Sequence, residues 1–175
     1  MTVSKGLTGG YMPMSITITT QEIYDAFYAD YGAHKAFVHS HTYAGNPLGC
    51  AAAHGVLDVL EQDHVLEKAA DTAAWLTGRM KDVFGSHPHV GEIRHIGLIH
   101  AMELVADKTT KQPFPGHKRL GYEIYRKVLK KGLVLRPLGD VLYFNPPLTI
   151  SKDELDQAIA ITKEAMDEVL GKASC

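Results

Sequence analysis

Hydrophobic and polar positions divide this chain into an irregular first stretch of about residues 1–45, one small-residue run at 46–63, and a regular pattern over 64–175. In the last of these, Leu66, Ala69, Ala73, Leu76, Met80 and Phe84 recur at helical spacing with charges opposite. That predicts a helix over about His64–Phe84 with this stripe inward and Trp75 in the core at its edge. Gly85–Pro88 breaks it, and Val90–Ile96 and Leu98–Val105 read as two strands turning about Gly97. A helix over about Lys118–Lys130 presents Leu120, Ile124, Val128 and Leu129 and stops at Gly132. Leu133–Pro137 and Val141–Phe144 read as further strands, joined through Leu138-Gly139-Asp140. Ser151-Lys152-Asp153-Glu154 is a capping box opening a terminal helix with Leu155, Ile159, Thr162, Met166, Val169 and Leu170 inward. The order α-β-β-α-β-β-α makes an α+β domain of sensible size.

Upstream the signals are weaker. Met14–Thr19 alternates and reads as a strand with Ile16 and Ile18 on one face. Thr19 or Thr20 then caps a helix carrying Ile23, Phe27 and Tyr28, which Gly32 is expected to end. A short extended piece at 36–39 leads into a polar loop at Ser40–Gly45. These elements are too few to close a core. Asn46-Pro47 is a strong helix start, and Gly49, Ala51, Ala52, Ala53 and Gly55 after it predict a helix buried on several sides.

Composition narrows the function. Eighteen Lys and Arg are scattered among twenty Asp and Glu, which argues against a nucleic-acid footprint. No apolar run approaches membrane-spanning length and no signal pattern opens the chain, so a soluble protein without a membrane partner is expected. Cys50 and Cys175 have neither disulfide nor metal spacing, which fits a reducing, cytoplasmic setting. His39 with His41, and His87 with His89, are spaced to share a face, and His95 lies near. No Cys, Asp or Glu completes a ligand set, so these read as loop histidines and no metal is expected.

The candidate chemistry sits at the start. In Ser4-Lys5-Gly6-Leu7-Thr8-Gly9-Gly10 one lysine is set among three glycines, where backbone can come close to a ligand. An exposed lysine is almost wholly protonated at neutral pH and becomes nucleophilic only when a pocket or a nearby cation lowers its pKa. Read alone, Lys5 is a solvated amine, Thr42 a loop residue closing a turn, Arg136 a surface cation and Tyr143 a strand tyrosine.

Residues 4–10 resemble the cofactor-lysine segment of the class III, ω-type, pyridoxal-phosphate aminotransferases. Phe37–Ala53, with its Ser-His-Thr-Tyr loop, is similar to that family's threonine loop and following helix. Glu92–Leu98 with Met102-Glu103-Leu104 is similar to its C-terminal hairpin. Gly132–Leu148 resembles the branch that aminates 8-amino-7-oxononanoate to the 7,8-diamine in biotin synthesis; another ω-aminotransferase is the alternative. The resemblance implies a fold-type I transferase: an α+β C-terminal small domain at 64–175, a connecting helix at 46–63, and a remnant of the α/β large domain at 1–45. It implies pyridoxal 5′-phosphate as cofactor, Lys5 as the lysine that holds it and moves the proton, and Thr42 on its phosphate across a homodimer interface. It implies Arg136 on the substrate carboxylate, with Ser40 and Tyr143 lining the site, a keto substrate, and S-adenosylmethionine or lysine as amino donor. Ser40-His41 stands where many members have Gly-Pro, so the contact usually made there differs.

The family's glycine-serine phosphate site, ring-stacking aromatic and pyridine-pairing aspartate fall upstream of its lysine and are not among these 175 residues. The resemblance therefore implies a C-terminal fragment that, alone, binds the cofactor weakly or not at all and does not transaminate. A different class stays open, a non-catalytic, self-associating α+β domain. In either case the apolar residues of 14–38 and the 47–60 helix are expected to be contact surface.

Overall fold

The computed structural model describes residues 1–171. They separate into two units, Met1–His64 and the remainder from Val65. Cys175 lies outside the described residues, and Cys50 is a free, half-buried thiol.

In the first unit, β1 (Thr2–Val3) pairs antiparallel with β2 (Ile16–Thr17), Thr2 opposite Thr17 and Val3 opposite Ile16. The strand expected over 14–19 is thus two residues long, and Ile18 lies outside it, exposed. Helix α1 (Gln21–Phe27) is capped by Thr20, whose hydroxyl accepts from the Ile23 N–H at 3.4 Å. It ends at Phe27, and Gly32 belongs to a separate 3-10 turn, Tyr31–Ala33. Helix α1 buries none of its residues, so little packing supports a run that short sequence preferences alone hold weakly. The expected extended piece at 36–39 forms no strand.

Helix α2 (Pro47–Gln62) starts as its sequence demands: Asn46 Oδ1 accepts from the Leu48 N–H at 3.0 Å, and Pro47 occupies the first turn. Burial on several sides is not found. Only Gly49 and Ala53 are buried, while Leu48 is 67% and Leu57 52% exposed. The small residues admit one close neighbour within the unit, the 3-10 turn Lys5–Thr8 with the segment after it. Met14 covers Gly49, and Val56 stands 3.2 Å from where a Cβ on Gly9 would sit.

The second unit holds the core. Helix α3 (Val65–Phe84) buries Val65, Ala69, Ala73, Leu76, Met80 and Phe84. Val65 replaces the expected Leu66, which is exposed, because the stripe continues upward at four-residue steps. Trp75 is partly buried against the core. Strands β3 (Val90–Ile96) and β4 (Ile99–Leu104) form the expected hairpin about Gly97, and β4 carries β5 (Val141–Phe144) on its other edge, all antiparallel. Alternation on β4 sends His100, Met102 and Leu104 inward. Helix α4 (Leu120–Lys130) buries Gly121, Ile124 and Val128; Leu129 is out of phase and exposed. Helix α5 (Lys152–Leu170) opens on the capping box, Ser151 and Glu154 bonding reciprocally, and packs on both α3 and α4.

Leu133–Pro137 is not a strand. Pro137 has no N–H to give to a ladder, and the Leu133 N–H is already spent on the Val128 carbonyl at the end of α4. The segment instead runs unpaired, inserts Leu135 into the core, and closes through reciprocal backbone bonds between Leu138 and Val141 with Gly139 at φ 60°. The unit is therefore α-β-β-α-β-α, an α+β arrangement with one strand fewer than its pattern predicts. Among the described residues no helix is long and apolar enough to cross a membrane.

Candidate functional site

Lys5 opens the 3-10 turn Lys5–Thr8 with its backbone in the left-handed region, at φ 56°. For a residue with a Cβ this conformation costs on the order of 1–2 kcal/mol, so the surrounding turn must impose it. It does so through hydrogen bonds. Gly9 N–H reaches Gly6 O at 3.0 Å, Tyr11 N–H reaches Thr8 O at 3.0 Å, and the buried Thr8 hydroxyl donates to Met12 O at 2.5 Å. The lysine side chain is exposed and makes no ion pair or hydrogen bond among the described residues. Beside it the turn is open: a Cβ on Gly6 or Gly10 would meet nothing within 4 Å. Such an amine, on a braced turn with free space around it, fits a carbonyl-bearing cofactor held by its lysine.

Ser40 and Thr42 belong to the same unit, at the mouth of the turn leading into α2. Backbone bonds from Ala44 to His41 and from Asn46 to Tyr43 shape that turn. The Thr42 hydroxyl is exposed and has no partner among the described residues, leaving it free for an anion. A cleft of about 520 Å³ adjoins the turn, lined by Met14, Ser15, His41, Tyr43, Asn46 and others.

Arg136 and Tyr143 belong to the second unit. Arg136 is exposed, stands between buried Leu135 and half-buried Pro137, and has no ion pair among the described residues. Tyr143, half-buried on β5 opposite Ala101, alternates with core residues Leu142 and Phe144 and so lies on the sheet's other face. Two residues that the sequence pattern did not single out brace the turn beside Arg136. Asp140 Oδ1 accepts from the Gly121 N–H at 3.0 Å, and Asp140 O accepts from Leu104 N–H at 2.9 Å. The signal available was an aspartate directly after a turn glycine, a residue type that bonds nearby backbone.

Not all the histidines are loop residues. His95 lies in β3 and stacks on His100 across the hairpin, ring centroids 5.0 Å apart. His87 is 2% exposed; its Nδ1 accepts from the His89 N–H, and its Nε2 stands 3.7 Å from Asp167. His100 is fully buried between Thr77 and the Leu98 carbonyl. Burial pushes both imidazoles below the usual histidine range. Among the described residues no three ligating side chains gather as a metal site would need.

A family model described as aminotransferase class-III matches residues 1–166. The chain is 42% identical over 98% of its length to the adenosylmethionine-8-amino-7-oxononanoate aminotransferase of Anoxybacillus flavithermus, and 41% identical over 98% to that of Geobacter sulfurreducens. In each case it spans 38% of the relative's own length. Its structure is similar to the crystal structure of the adenosylmethionine-8-amino-7-oxononanoate aminotransferase of Methanocaldococcus jannaschii. There the TM-score is 0.90 at 38% identity, covering 96% of this chain and 38% of that one.

Proposed function

The chain belongs to the class-III aminotransferases, and from that premise we propose that it is part of a cytoplasmic, homodimeric enzyme that aminates 8-amino-7-oxononanoate for biotin synthesis. The relatives named for that substrate support the choice within the family. The family depends on pyridoxal phosphate, which when bound supplies an electron sink for the substrate carbon. Lys5 Nζ would hold the cofactor and would move the proton, taking it from the nitrogen-bearing carbon of the amino donor and delivering one to the keto carbon of the substrate as that carbon gains its amine. The Thr42 hydroxyl donates to the phosphate, in the dimer that of the neighbouring subunit. Arg136 pairs its planar guanidinium with the substrate carboxylate in a bidentate contact that lysine does not reproduce. Ser40 and Tyr143 line the substrate, and the amino donor is S-adenosylmethionine or lysine.

The observation that carries this reading on the chain itself is the backbone of Lys5, a non-glycine residue held left-handed by a braced glycine turn with open space beside it. The 175 residues alone are expected not to transaminate, since one lysine and one threonine enclose little of a cofactor. Pyridoxal phosphate incubation, borohydride reduction and mass mapping test the assignment in the active enzyme. Stoichiometric label on Lys5 is expected. Label spread over surface lysines would remove Lys5 from the chemistry and favour the self-associating, non-catalytic domain.

A further inference from the structure

Arg136 has no ionic partner among the described residues to hold it, yet recognition of a carboxylate needs its guanidinium in one place. What is fixed is the backbone on either side. Upstream, Leu135 is 4% exposed in the core. Downstream, the turn Pro137–Asp140 is closed by the paired backbone bonds of Leu138 and Val141, at 2.9 and 3.0 Å. That turn is in turn seated on the first residues of α4. Asp140 Oδ1 accepts from the Gly121 N–H, one of the helix-start donors that no intrahelical carbonyl can reach. Asp140 O binds the Leu104 N–H, tying the same turn to the end of β4. Gly121 is required by this seating: a Cβ there would collide with the Gly139 carbonyl and stand 3.3 Å from Pro137 Cβ.

We infer that Gly121 and Asp140 are positioning residues for substrate carboxylate binding, clamping the Pro137–Asp140 turn to α4 and so setting where Arg136 presents its guanidinium. The inference rests on the assignment of Arg136 above. Neither residue touches substrate. Loss of the clamp lets the turn lift and moves a bidentate contact out of line, a displacement that costs binding and leaves the proton chemistry at Lys5 alone.

Four variants test it: Asp140→Ala, Asp140→Asn, Gly121→Ala and Arg136→Gln. In the 175-residue chain, amide exchange at Gly121, Leu138 and Val141 is expected to quicken in Asp140→Ala and Gly121→Ala. Asp140→Asn, which keeps the Oδ1 acceptor, should retain parental protection. In the active aminotransferase, Asp140→Ala is expected to raise KM for the keto acid about tenfold with kcat within about twofold, and Asp140→Asn to restore it. Parental KM in Asp140→Ala alongside a raised KM in Arg136→Gln overturns the clamp and leaves the arginine's role standing. Parental KM in Arg136→Gln overturns the arginine's role and the clamp's purpose with it. Parental exchange at all three amides in Asp140→Ala overturns the clamp in either case.

Discussion

Mild acid should destabilise the second unit through two histidines. His87 and His100 are 2% and 0% exposed. At His87 burial lowers the pKa most, Asp167 on α5 opposes it, and His89, Lys163 and Lys108 add to it. At His100 burial again dominates, the Leu98 carbonyl opposes it and His95 adds to it. A group whose folded pKa is depressed stays neutral in the native unit while the unfolded chain takes up its proton near pH 6.5. Stability is therefore complete above about pH 6.5 and is lost as pH falls from there toward the folded values. Each histidine protonated only in the unfolded state costs about 1.4 kcal/mol per pH unit at most, and the two together about 2.7. Asp107, Glu154 and Glu168, whose carboxyls are held low by hydrogen bonds, lose their contribution only below the ordinary carboxylate range, so a window of about pH 5.5–7.5 isolates the imidazoles. Urea unfolding reads the effect directly. Trp75, the one tryptophan of the chain, is packed against this unit's core and reports its melting by fluorescence. The unfolding free energy should fall with pH at a slope approaching two protons, and His87→Gln or His100→Gln should each remove one. A flat profile between about pH 6.5 and 5.5, or a double variant with the parental slope, would refute the reasoning.

Core and surface predictions follow from the same burial. Met80→Ala, at a fully buried position on α3, should cost about 2–5 kcal/mol in urea melts of the second unit. Val65→Ala should cost more than Leu66→Ala, which lies on an exposed position and should stay within about 0.5 kcal/mol of the parent; the reverse order would place the α3 stripe one residue later. Ser151→Ala should remove the α5 cap for about 1 kcal/mol. It should also let the Glu154 carboxyl, held low first by the Ser151 side chain, rise toward its ordinary range in an NMR pH titration.

Periodicity alone was enough for the helices of the second unit, because each buries one face at a spacing written in its own residues. It placed α3, α4 and α5 within a few residues and found the Gly97 hairpin and the Ser151 capping box. It failed where the outcome depended on a partner. Leu133–Pro137 has strand composition, yet Pro137 and the spent Leu133 N–H keep it out of the sheet. The small residues of α2 suggest burial on several sides, yet only Gly49 and Ala53 are buried. Helix α1 stops five residues before its glycine and buries none of its residues.

The candidate residues divide the same way. Lys5, Ser40, Thr42, Arg136 and Tyr143 could be marked because their neighbours in the chain form segments that resemble a family. The left-handed backbone at Lys5, the bond from Gly121 to Asp140 and the burial of His87 and His100 could not. Local pattern decides which face a helix or strand shows, since that depends on residues three or four apart. Which lone polar side chain finds a buried partner, and which glycine meets another backbone, depends on residues brought together from distant positions, and only the folded chain settles that.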